Sequence, residues 1–287
     1  MDPETRQQAI LLYDRFTHEG MERRAFMTEM AKLAGSIAAA ELLVAGIAAS
    51  PAAAAIMPEN DPHIFTRTQS LTGGYKAYVA EPRTRSLKAT VLVIHENRGL
   101  NDHIRDITRR VAVAGFRAVA PDMLSSSGGT PANEDAARDA IGKLDLGKSV
   151  ADAVAILHEL GKSSRGGKVG AVGFCWGGGF VNRLTVAAGD ALAAAVPYYG
   201  PAPDPSEAPK VQAAMEFHDA GLDDRVNATS FPWITALRAA GKTVKFFLYD
   251  GANHAFNNDT SAERYNKPAA DLAWKRTLAF FRQHLGG

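Results

Sequence analysis

The sequence predicts an α/β chain built on a mostly parallel sheet with helices on both of its faces. Three observations predict it. From about Met57 onward, short β-like runs alternate with helical stretches. Several of those runs are apolar throughout, as expected of strands covered on both sides; residues 89–94 (ATVLVI) are the clearest. With 287 residues, a 46% hydrophobic share and a 22% charged share, the chain suits one large domain, or one domain carrying a terminal extension.

The elements follow in order. Residues 75–80 (YKAYVA) alternate weakly, as in an early or edge strand, and 89–94 form the next strand. Residues 103–114 place Ile104, Ile107 and Val111 on one side of a helix that Gly115 ends. A strand at 116–120 is closed by Pro121-Asp122, and 124–133 (LSSSGGTPAN) reads as a surface loop. One long helix is expected over 134–160, then a strand at 169–174 and a helix at 176–188. Further strands are expected at 192–198, 213–217 and 244–249, and helices at 233–240 and 269–284.

The N-terminal part differs in character. Residues 6–19 read as an amphipathic helix with Ala9, Leu12 and Phe16 at helical spacing. Arg23-Arg24, Phe26, an Ala-rich run to Ala49 and small residues at 51–55 then fit a twin-arginine export signal, which implies a periplasmic protein. The other reading is an uncleaved helical extension docked on a cytoplasmic protein. No stable membrane span is expected, because Lys32 and Glu41 interrupt a stretch that needs about 20 apolar residues.

Charge and cysteine count exclude several classes. A net charge of +1 offers no field for nucleic acid. One cysteine rules out an internal disulfide and any multi-thiolate metal centre. The surroundings of that cysteine decide its role. Gly173-Phe174-Cys175-Trp176-Gly177 follows a β run and opens a helix, the setting of a nucleophile elbow in the α/β-hydrolase fold. Small neighbours are needed where strand and helix nearly touch, and the helix N-terminus favours both a thiolate and an oxyanion.

In such a fold the chain order is nucleophile, acid, histidine. Asp223 and His254 lie just past the C-terminal ends of later strands, where open α/β sheets place their sites. His254 is the candidate base and Asp223 the candidate acid, with Asp219 and Asp224 as competitors. The other histidines, His18, His63, His95, His103, His158, His218 and His284, read as structural or exposed; His218 ends the strand before Asp223 and is placed to support the site. The backbone N–H groups of Trp176 and Asn97 are the candidate oxyanion donors. Glu96 has two readings: a surface carboxylate paired with an arginine, or part of the site.

Together these residues resemble the dienelactone hydrolase (carboxymethylenebutenolidase) family. HENRGL at 95–100, APD at 120–122, GFCWGG at 173–178, GLDDRV at 221–226 and HAFNND at 254–259 carry the resemblance across residues 70–287. It implies that Cys175, Asp223 and His254 form a triad, and that Glu96 holds the resting thiol until substrate arrives. It also implies two substrate-binding arginines, whose positions are taken here by Ser126 and Asn258; Arg98 is a candidate substitute. Each lost charge-assisted anchor is worth roughly 1.5–3 kcal/mol. The expectation is therefore a hydrolase of small-molecule esters or lactones without strict dienelactone specificity, occupying residues 57–287 behind a 1–56 extension. No cofactor and no metal are expected, and the sequence leaves the oligomeric state open. The alternatives are a thioesterase or peptidase using the same triad, and a non-catalytic protein that binds ligands or senses redox state through Cys175.

Overall fold

The computed structural model describes residues 2–48, 56–83, 89–163 and 167–286; the small residues at 51–55 lie outside them. Eight strands form one sheet: β1 Ile64–Ser70, β2 Lys76–Pro82, β3 Thr90–Ile94, β4 Arg117–Pro121, β5 Val169–Phe174, β6 Ala194–Tyr198, β7 Ala214–Ala220 and β8 Val244–Tyr249. The spatial order is β1-β2-β4-β3-β5-β6-β7-β8. The two pairings made by β2 are antiparallel and the rest are parallel. This is the α/β-hydrolase architecture, with the parallel strands all pointing their C-terminal ends at one rim.

The helices are α1 Pro3–His18, α2 Arg23–Ala34, α3 Ile37–Ile47, α4 Asp102–Val113, α5 Glu134–Gly142, α6 Leu146–Ser163, α7 Trp176–Ala187, α8 Asp224–Ala239 and α9 Lys267–Leu285. Side chains of α4 and α9 join one apolar layer of the sheet, through Ile104, Ile107, Phe280 and Phe281. Those of α6, α7 and α8 join the opposite layer, through Ile156, Leu157, Val181 and Trp233. The fully buried runs of β3, β5 and β6 lie between these layers, which is why their sequences lack alternation.

Three sequence expectations change. The weakly alternating strand is internal, because β1 (IFTRTQS) pairs along its outer side. The polar composition of β1 suits an edge and hid it from the hydrophobic pattern. The long helix expected at 134–160 breaks after Gly142, and the Asp145 side chain accepts from the Lys148 N–H at 2.9 Å, capping α6. Finally, α8 begins nine residues before the expected start at 233, with Pro232 inside it.

The segment α1–α3 has its own apolar cluster, in which the Phe16 and Phe26 rings stack at 4.2 Å. It lies against the main body through polar contacts. Gln7 donates to Asn253 at 2.7 Å, Arg98 to the Tyr13 hydroxyl at 2.8 Å, and Arg264 to the Ile47 carbonyl at 3.1 Å. Among the described residues, no single helix is long and apolar enough to cross a membrane, and α2 and α3 meet at 104°.

Candidate active site

Cys175 sits between β5 and α7 with φ 55° and ψ −115°, a conformation that costs a non-glycine residue of order 1–3 kcal/mol. The surrounding glycines let the turn exist. A Cβ on Gly173 would lie 2.1 Å from the Gly177 carbonyl oxygen, and one on Gly177 would lie 2.4 Å from that of His95. Any side chain at either position would force β5, α7 and the loop after β3 apart. Cys175 is 5% exposed, and its N–H bonds the Tyr198 carbonyl at 3.1 Å, so sheet bonding runs up to Cys175 itself. Trp176 is the first residue of α7, and its N–H is one of the unpaired donors of that helix end.

Asp223 is the N-cap of α8. One carboxylate oxygen accepts from the Val226 N–H at 3.2 Å, and the other accepts from His254 Nδ1 at 2.5 Å. Capping thus fixes the carboxylate, and the carboxylate fixes the ring. His254 Nε2 is buried and has no hydrogen-bond partner. Burial would lower the His254 imidazole, but the Asp223 carboxylate and the Cys175 sulfur outweigh it and push the value up to about 10. Burial raises the Asp223 carboxyl, and the charge and hydrogen bond of His254 more than offset this, leaving it below the ordinary value.

The competing carboxylates have other roles. Asp219 is buried and accepts from the Ser230 hydroxyl, and burial raises it to about 7. Asp224 is the exposed first residue of α8.

Of the remaining sequence candidates, Glu96, Asn97, Arg98 and Asn258 border one space with Cys175 and His254, and Ser126 does not. Glu96 borders the space beside Cys175, accepts from Asn258 Nδ2 at 2.7 Å and leaves its other oxygen without a hydrogen-bond partner. Asn258 therefore supports Glu96. Asn97 borders the same space. Arg98 is 9% exposed and is engaged by the Tyr13 hydroxyl and by Glu134 at 3.6 Å. Ser126 lies in an exposed turn at 125–127 and borders none of the cavities beside Cys175. His95 supports its loop: the ring accepts from the Met123 N–H at 3.1 Å, bonds the Glu96 carbonyl at 2.7 Å and stacks on Trp176. His218 is buried behind the site, 2.8 Å from the Tyr249 hydroxyl.

His18 is the residue that sequence reasoning missed. It ends α1, and its Nε2 is 3.9 Å from Cys175 Sγ, with its ring edge-on to His254 at 4.9 Å between centroids. Burial holds its imidazole well below the usual value, and the charge of His254 acts in the same direction. The stripe Ala9, Leu12, Phe16 packs within the apolar cluster of α1–α3, and nothing local in the sequence says where α1 meets the main body.

Two spaces meet at Cys175. One, of about 20 Å³, lies among Tyr13, His18, Glu96, Cys175 and His254. The other is an open cleft of about 820 Å³ between α1–α2 and the main body, bordered by Phe16, His18, Arg138, Trp176 and Arg225.

The chain has relatives both in sequence and in fold. A profile described as the dienelactone hydrolase family matches residues 75–285. A "Putative carboxymethylenebutenolidase" of Methylorubrum extorquens is 33% identical over 229 residues, covering 74% of this chain and 78% of its own. A protein of the same name from Escherichia coli O157:H7 is 31% identical over 261 residues, covering 83% and 94%. The crystal structure of a "Putative Dienelactone Hydrolase" from Klebsiella pneumoniae superposes with a TM-score of 0.69 at 27% identity, covering 77% of this chain and 99% of that one. The family match begins in the main body, after α1–α3. By sequence and by fold, the chain belongs to the dienelactone hydrolase family and is a hydrolase of that kind.

Proposed function

We propose that residues 57–287 form a catalytic domain that hydrolyses a carboxylic ester or lactone through Cys175, His254 and Asp223, with residues 1–56 as an N-terminal helical segment. One observation carries the reading. The Asp223 carboxylate holds His254 by Nδ1, leaving a buried, unbonded Nε2 on the Cys175 side of the ring. The Cys175 thiolate attacks the carbonyl carbon, and the N–H groups of Trp176 and Asn97 receive the oxyanion. His254 protonates the departing alcohol, then takes a proton from water as that water cleaves the thioester. Each oxyanion donor is worth about 10²–10³ in rate. Glu96 borders the same space with one oxygen unbonded, an acceptor on which the resting thiol would be held. The open cleft is of the size that accommodates small molecules, typically about 300–1,000 Å³, and Arg225 on its border suits a substrate with an acidic group.

A panel of aryl esters, lactones and thioesters tests the reading. The intact protein should turn over aryl esters or lactones many times per thiol, and Cys175→Ala should lose about 10⁴-fold or more in kcat. Wild-type turnover by Cys175→Ala would remove the nucleophile. Stoichiometric modification of Cys175 without turnover would favour a thiol sensor instead.

A further inference from the structure

We propose that His18, Cys175 and His254 together form a binding site for one thiophilic divalent cation of the Zn²⁺ class, completed only when α1 is docked. A donor atom from each of the three residues lies within 4.8 Å of the other two. Two imidazoles and a thiolate are a donor set that suits Zn²⁺ and disfavours hard cations such as Mg²⁺ or Ca²⁺. Zn–S near 2.3 Å and Zn–N near 2.0–2.1 Å place sulfur and nitrogen roughly 3.5 Å apart around a tetrahedral ion. Cys175 Sγ and His18 Nε2 are already 3.9 Å apart, so small side-chain rotations close the site.

Two further observations point to a ligand. His254 is 2% exposed, yet its Nε2 has no hydrogen-bond partner. Its Nδ1 is bonded to the Asp223 carboxylate, the outer arrangement that orients a histidine for zinc and strengthens it as a donor. The cavity of about 20 Å³ beside these residues is large enough for one water, which serves as a fourth ligand. The sequence suggested no metal because one cysteine cannot build a multi-thiolate centre. The third donor is instead supplied by a helix 157 residues away in the chain.

Binding forms one S–metal and two N–metal bonds, and releases the thiol proton and the His254 Nε2 proton to solvent. It occupies the sulfur lone pair that attacks substrate and the nitrogen that serves as base, so the cation reversibly blocks the thiol. The proposal does not depend on which ester is cleaved, and its test reads light absorption rather than turnover.

The experiment titrates the full, metal-freed chain with Co²⁺, then displaces it with Zn²⁺, in the parent protein and in His18→Ala and His18→Gln. The parent should take up one equivalent of Co²⁺ and show thiolate-to-cobalt charge transfer with the intense visible bands of a four-coordinate ion. Zn²⁺ should abolish both signals. Both variants, with near-ultraviolet circular dichroism matching the parent, should bind at least tenfold more weakly. If one variant loses the parental dichroism, the other decides. A parent without charge transfer would overturn the proposal, as would a folded variant that binds within twofold of the parent.

Discussion

The main body and the N-terminal segment are held together by different physics. In the main body, helices α4, α6, α7, α8 and α9 cover both faces of the sheet with continuous apolar layers. The segment α1–α3 keeps its apolar side chains to itself, clustered around Phe16, Phe26 and Met30. It meets the body through Gln7, Asp14, Tyr13 and main-chain carbonyls. Apolar layers contribute in proportion to buried area, whereas polar docking is a near-balance of desolvation and bonding. The body is built to stay closed, and the segment is attached by contacts that single substitutions can undo.

The largest expected effect separates catalysis from docking. Asp223→Asn should reduce kcat by about 10⁴, since an amide N–H facing Nδ1 holds the proton on Nε2, while amide exchange in α1–α3 stays at the parental rate. Faster exchange there would show that the site and the segment are not separable. Next comes Arg264→Ala. Arg264 is 8% exposed, spans Ile47 and Asp14 and lies over the Tyr13 ring at 5.1 Å. Losing it leaves the half-buried Asp14 carboxylate unpaired, at a cost of about 1–3 kcal/mol. Hydrogen exchange should quicken in α1 and α3 and stay unchanged in β5; equal protection throughout would contradict polar docking.

Asp219 probes the body alone. Its folded value, about 7, lies above the ordinary 3.8, so its stabilising contribution is complete below about pH 4 and is lost as pH rises through 7. Asp219→Asn should gain on the parent at pH 8 by at most about 4 kcal/mol, with no gain at pH 4. Urea unfolding at the two pH values checks the sign. The smallest effect belongs to Glu96→Gln. Removing an anion beside the thiol should speed Cys175 alkylation by about tenfold or less, read as a profile of rate against pH. An unchanged profile would leave Glu96 a purely structural partner of Asn258.

What the sequence made legible follows the same division. The strands β3 and β5 could be read because an unbroken apolar run reports burial on both faces. The elbow could be read because its chemistry is local: glycines crowd one turn, and the helix after it starts at Trp176. Asp223 and His254 followed from chain order. The polar edge strand β1 and the capped break at Asp145 left no such pattern. His18 was invisible for a deeper reason: docking is set by pairings such as Gln7 with Asn253, which no window of neighbouring residues contains.

Because α1 forms one wall of the cleft beside Cys175, seating a guest and seating the helix are linked equilibria. A molecule that binds tenfold tighter with α1 in place must stabilise that placement tenfold in return. The enzyme's affinity for its small-molecule guests and the protection of its first helix can therefore be measured as one quantity, from either side.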